Sequence, residues 1–162
     1  MSNENVKNYR EQSGSGGNNV QHFNGDVAQG PAATEQTLIH RIGIGTPTAG
    51  AANTATVLFS ALNQNGDVIA RNHVFDIFLS DDSGGVDITA TAASGTVGAG
   101  TKGKVIGTLT TKKMLRVQTD ADGTFQLTIT DTAKTQLYLA AINPFSGLVY
   151  VGADRLTTAR YG

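Results

Sequence analysis

An all-β antiparallel sandwich is the fold class that this sequence predicts, and three observations carry the expectation. Thr124-Phe125-Gln126-Leu127-Thr128-Ile129-Thr130 alternates apolar and polar residues. A period of two puts Phe125, Leu127 and Ile129 on one face of a half-buried strand. Turn signals flank such segments, at Asn65-Gly66-Asp67 and at Asp120-Ala121-Asp122-Gly123, where residues tolerant of positive φ reverse the chain. The composition agrees: 39% of residues are apolar and only 15% charged. Much of the remainder is Gly, Ala, Thr and Ser, which suit strands and turns better than long helices.

Residues 1–45 read as an N-terminal arm and 46–162 as the sandwich domain. Ser13-Gly14-Ser15-Gly16-Gly17-Asn18-Asn19 is a flexible linker by composition. Val20, Phe23 and Val27 are too few to offset the entropy of ordering their segment alone. Leu38–Gly45 reads either as a first strand or as an extended segment lying on a partner. Thr46–Asn53 is a loop of small residues.

Thr54–Leu62 predicts a strand with Val57 and Phe59 on one face and Leu58 and Leu62 on the other, ended by Asn63-Gln64-Asn65-Gly66-Asp67. Val68–Arg71 is a short strand. His73–Ser80 is apolar on both faces, hence central. Val86–Ala92 alternates again, and Ser94–Gly103 reads as a long loop or irregular edge. Val105–Thr110, Met114–Thr119, Phe125–Thr130, Gln136–Ile142 and Leu148–Val151 complete the strands, with a single helical turn possible over Thr132–Tyr138. Short strands separated by Gly, Asn and Asp turns argue for a sandwich or barrel, of which the sandwich is preferred. Its predicted core is Phe59, Phe75, Ile77, Leu79, Phe125, Leu127, Ile129, Leu137, Leu139 and Leu148.

The net charge of −1 offers no basic excess to neutralise phosphates, so nucleic acid is not an expected partner. No apolar run approaches the length of a membrane span. The absence of cysteine rules out disulfides and thiolate metal sites. Met1–Asn5 is polar and no apolar stretch follows it, so synthesis in the cytoplasm is expected.

Catalytic and metal patterns are weak. Asp120, Asp122 and Asp131 loosely resemble a Ca²⁺ loop, but an EF-hand needs Gly at its sixth position and Glu at its twelfth. Phe125 and Asp131 stand there, so turn-forming carboxylates are the better reading. Asp81, Asp82 and Asp87 receive the same reading. His22, His40 and His73 show no ligand spacing, no G-x-S-x-G elbow accompanies the serines, and Gly43-Ile44-Gly45 lacks the third glycine of a dinucleotide loop. No cofactor, no metal and no enzymatic activity are expected. Lys102, Lys104, Lys112, Lys113 and Arg116 form the one basic concentration. On an edge strand, lysines guard against unwanted pairing; contact with an acidic surface is the alternative.

The block Thr54–Ile69, with its Asn-Gly turn, the Val74-Phe75-Asp76-Ile77-Phe78 segment, and Thr119–Thr124 leading into the threonine-rich strand, resembles a bacterial immunoglobulin-like module over residues 54–151. Ser83–Gly103 departs from it as an insert. In layout the chain also resembles decoration or cement proteins of tailed-bacteriophage heads: a polar arm, no cysteine, one Thr/Ala/Gly-rich sandwich and a short Arg160-Tyr161-Gly162 end. That resemblance implies a virion structural protein on the capsid exterior. Its partners would be the major capsid protein and sister copies, for instance as a trimer. Val20, Phe23, Val27, Leu38, Ile39, Arg41, Ile42 and Ile44 would contact the shell, with Lys102, Lys104, Lys112 and Lys113 as a secondary contact. The runner-up is a head-fibre or tail-associated adhesive module that binds host glycans through exposed aromatics, for which Tyr138, Phe145, Tyr150 and Tyr161 are candidates.

Overall fold

Alternation becomes two packed sheets in the computed structural model, which describes residues 39–162. In chain order the strands are β1 (Arg41–Ile44), β2 (Thr48–Ala49), β3 (Thr54–Leu62), β4 (Val74–Ser80), β5 (Val97–Ala99), β6 (Lys104–Thr110), β7 (Met114–Gln118), β8 (Thr124–Thr130), β9 (Tyr138–Ile142) and β10 (Val149–Val151). A single 3-10 turn, Thr158–Arg160, is the helical content of the described residues. The first sheet has the order β1-β3-β8-β5, with β2 also on β3, and the second has the order β10-β9-β4-β7-β6. Every strand pairing is antiparallel. The fold is therefore a β-sandwich, as the sequence predicts.

The core sits between the inner faces. Phe59 of β3 stands opposite Phe125 of β8 in the ladder, and its ring lies 6.4 Å from those of both Phe125 and Phe75. This tilted trio occupies the middle of the sandwich, where aromatic pairs gain beyond their buried area. Of the ten residues expected in the core, all but Leu148 are buried. Leu148 lies in the turn before β10 and is 57% exposed. Leu115, Val117, Leu156, Ile39 and Ile42 join the core instead. Central β4 buries both faces except near its start, as its sequence predicts.

Four expectations give way. Val86–Ala92 is a loop: the Thr89 N–H donates to the Leu79 carbonyl of β4 at 2.7 Å, but no continuous ladder forms. The Asp81 carboxylate holds it by accepting from Thr89 Oγ1 at 2.7 Å and from the Ala90 N–H at 3.0 Å. Asp82 accepts from the Gly84 N–H at 2.7 Å. The start of this loop lies over the second sheet: Gly85 abuts Val149, Val151 and Ala140, where a side chain would collide. Val68–Arg71 contributes only one bridge, Leu62 to Val68. Thr132–Tyr138 forms no helix. The stretch 94–103, read as a long loop or an irregular edge, holds the short edge strand β5, in keeping with the second of those readings.

The fourth correction concerns the arm. Residues 41–44 lie before the domain boundary placed at 46, but the first-strand reading of Leu38–Gly45 is the one that holds: they form β1 and pair with β3 from Arg41–Leu62 to Ile44–Phe59. Ile39 and Ile42 are 3% exposed, so their side chains are core. The long edge of β3 offers unpaired N–H and C=O groups, and an alternating apolar segment that ends ten residues before β3 begins satisfies them. Thr37–Gly162 is one compact unit.

Carboxylates also serve as staples. Asp131 is 1% exposed and accepts from the N–H groups of Ser94, Ala133 and Thr135 at 3.1, 3.2 and 2.9 Å. Burial alone would raise its pKa, but the hydrogen bonds from Thr135 and Ser94 outweigh it and hold the carboxyl well below the usual range. A depressed folded-state pKa means stability that is complete above the unfolded value of about 3.9 and lost as pH falls beneath it. Asp131→Asn places an amide donor against at least one of these N–H groups. It is expected to cost about 1–3 kcal/mol at pH 7 and to flatten the loss of stability below pH ~4, as read by urea titrations across pH. An unchanged acid slope in the variant would assign that loss to other carboxylates.

Candidate functional site

The residues that the sequence offered for partner contact fall into two groups. Val20, Phe23, Val27 and Leu38 lie outside the described residues. Ile39 and Ile42 are buried in the core, Ile44 is half-buried against it, and only Arg41 of this group is exposed. The sandwich thus consumes the apolar side chains at its own entrance. A buried amide fixes that entrance. Asn143, 1% exposed, donates from Nδ2 to the carbonyls of Ile39 and His40 at 3.0 and 3.1 Å. Its Oδ1 accepts from the Phe145 N–H at 2.9 Å, and the Tyr150 hydroxyl donates to the His40 carbonyl at 2.9 Å. One side chain therefore ties the start of the described chain to the β9–β10 turn.

The lysines do not converge. Lys102 and Lys104 lie at the start of β6 and Lys112 and Lys113 at the β6–β7 turn, roughly 20 Å away by strand rise. Lys102 pairs with Asp122. Lys112 donates to the Ser94 carbonyl at 3.1 Å and Lys113 to the Ala90 carbonyl at 2.5 Å. Three of the four are thus engaged in loops, and Lys104 stands exposed on β6. That strand is an edge of the second sheet, with register shifts at Val105/Gly107 and Thr108/Thr110. Bulges and lysine together are the usual protection of an edge. Asp122 accepts from Lys102 and from the Thr124 hydroxyl and N–H, which hold its pKa at about 2. It is a turn carboxylate, as is Asp131, and no group of three His, Cys, Asp or Glu among the described residues gathers as metal ligands. No helix among the described residues is long and apolar enough to cross a membrane.

A cleft of about 410 Å³ was not legible as a site in the sequence. It is lined by Asn72, His73, Val74, Phe75, Asp76, Arg116, Pro144 and Phe145. These come from the start of β4, the middle of β7 and the β9–β10 turn. Asp76 and Arg116 are ladder partners, and the guanidinium grips the carboxylate with two hydrogen bonds of 2.7 and 2.8 Å. Their spacing of forty residues carries no motif, so only the β4–β7 register brings them together. His73 is 8% exposed, and its Nε2 is buried without a hydrogen-bond partner among the described residues. Burial, reinforced by Arg71, lowers its pKa and keeps the imidazole neutral at pH 7. Phe145 is 60% exposed. Of the four aromatics considered from the sequence for a contact surface it is the one held out in solvent: Tyr138 and Tyr150 are half-buried, and Tyr161 is buried with its hydroxyl on the Thr135 carbonyl at 2.8 Å. No family model, no curated protein and no solved structure matches this chain.

Proposed function

We propose that the chain is a non-enzymatic structural protein of a tailed-phage virion, made in the host cytoplasm. In this reading an immunoglobulin-like sandwich projects from the outside of an assembled capsid, and its N-terminal segment grips the major capsid protein as a decoration or cement protein would. The observation that carries the reading is the anchored entrance. Residues 39 and 40 are clamped by Asn143 and Tyr150, and β1 is laced into the first sheet. A partner that holds the residues before them would pull directly on the sandwich. Many copies, each adding a modest contact, would stabilise a shell by avidity. Sister copies around a local symmetry axis are a further partner in this reading.

The immunoglobulin-like assignment is supported by strand order. The order β1-β3-β8-β5 is that of strands A-B-E-D, and β10-β9-β4 that of G-F-C. One difference remains: the hairpin β6–β7, which extends the second sheet, follows β5 in the chain, whereas the added strands of a variable-type domain precede strand D. The adhesive head-fibre or tail reading has one observation of its own, Phe145 exposed beside the cleft.

Co-sedimentation with assembled, undecorated capsids tests the proposal. The full chain is expected to bind saturably and a variant beginning at Thr37 to lose that binding while staying folded. Failure of the full chain to sediment with capsids would sink the decoration reading.

A further inference from the structure

The cleft at the start of β4 combines four properties seldom found together on a plain sandwich surface. It has an apolar side, formed by Val74, Phe75, Pro144 and Phe145, and a polar side, formed by Asn72, His73, Asp76 and Arg116. Its volume falls within the range of small-molecule sites. Its charges cancel, because Asp76 and Arg116 neutralise each other and His73 is uncharged. Its histidine keeps a buried ring nitrogen without a hydrogen-bond partner among the described residues, a condition that folded proteins rarely leave unexplained.

The two hydrogen bonds between Asp76 and Arg116 do not exhaust either group. A carboxylate has about four acceptor sites and a guanidinium has five N–H donors. An acceptor and a donor therefore remain side by side, with Arg116 half exposed and the Asp76 carboxylate sheltered. A hydroxyl both donates and accepts, so neighbouring hydroxyls on one ligand match this pair, while a simple anion meets the carboxylate and a simple cation the guanidinium. The backbone that carries Phe145 is held by a turn. Asn143 accepts from its N–H, Pro144 precedes it, and Gly147 completes the reversal at φ +73°. A phenylalanine side chain has few rotatable bonds, so it loses little conformational entropy when a ligand covers it, and its electron-rich face attracts polarised C–H groups.

We propose that this cleft binds one neutral pyranose unit of a glycan, its C–H face on Phe145 and its hydroxyls on Asp76 and Arg116. Such a ligand is amphipathic in the same sense as the cleft: one face of axial C–H bonds, and an uncharged rim of hydroxyls. The inference holds whether the chain sits on a capsid surface or at a fibre tip, because it uses only residues of the sandwich.

Saturation-transfer NMR on the full chain tests it, with the methyl glycosides of glucose, galactose, mannose and N-acetylglucosamine as probes. Sialic acid and glucosamine serve as charged controls. At least one neutral glycoside is expected to bind with millimolar affinity, with the strongest transfer to ring C–H protons. Phe145→Ala is expected to weaken binding at least tenfold with an unchanged melting temperature, and Arg116→Met to do the same with the sandwich intact. No transfer to any of the four neutral glycosides would overturn the proposal. So would equal binding by Phe145→Ala, or a preference for either charged sugar. Capsid co-sedimentation is read separately, so failure there leaves the sugar result standing, and failure here leaves the capsid reading standing.

Discussion

A variant beginning at Thr46 is expected not to fold, whereas one beginning at Thr37 keeps the native sandwich. The shorter chain loses β1, and with it Ile39 and Ile42 from the core. Burial of each isoleucine contributes about 1.5–3 kcal/mol. It also strips the Asn143 amide of both its acceptors, at a further cost of about 1 kcal/mol for each hydrogen bond lost. The C-terminal half of β3, Phe59 to Leu62, loses its ladder partner and becomes an open edge. Together these losses reach about 5 kcal/mol or more, a large part of the 5–15 kcal/mol that separates typical native domains from unfolding. Amide proton dispersion in NMR spectra of the two variants decides the matter. A well-dispersed, cooperative fold for the Thr46 variant would show that β1 is dispensable and restore the longer arm. For the capsid experiment, the cut therefore belongs before residue 39; removal through residue 45 would confuse loss of an anchor with loss of the fold.

Replacing Phe59 by Ala should cost about 3–5 kcal/mol, the usual penalty for emptying a packed aromatic site. Phe59 is fully buried, joins both sheets and touches two other rings. Neither neighbour can move into the space without leaving its own place in the ladder, so little of the cavity will close. Leu148→Ala is the contrast, because that leucine is mostly exposed and should change stability by no more than ~0.5 kcal/mol. Urea titrations with an unchanged denaturant slope would separate lost stability from an altered unfolded state. Equal midpoints for the two variants would overturn the placement of the core.

How far the chain was readable differs by element. Thr54–Leu62 carries its strand and both its faces in the alternation itself, and Thr124–Thr130 shows its buried face as plainly. Val86–Ala92 has the same alternation and is a loop. The pattern says which side chains share a face, but a strand also needs a continuous neighbour for its backbone groups, and here one N–H, that of Thr89, reaches β4 while Asp81 and Asp82 hold those of Ala90 and Val86. Leu38–Gly45 is the reverse case. Its apolar residues fitted equally a strand and a segment laid on a partner, and the free edge of β3 settled it. The cleft was illegible for a related reason. Asp76 and Arg116 meet only through the register of two strands, and His73 reads as an ordinary strand start until burial removes its partners.

The class of fold, the turns and the inward face of the longer strands follow from local order along the chain, because period-two patterning and positive-φ residues act within a few positions of one another. Tertiary structure alone decided that β1 belongs to the sandwich, that the lysines are spread along one edge, and that a charge-balanced cleft opens beside Phe145. Those outcomes depend on which strands lie side by side and in what register, and pairing between distant segments leaves no trace in the local order of side chains.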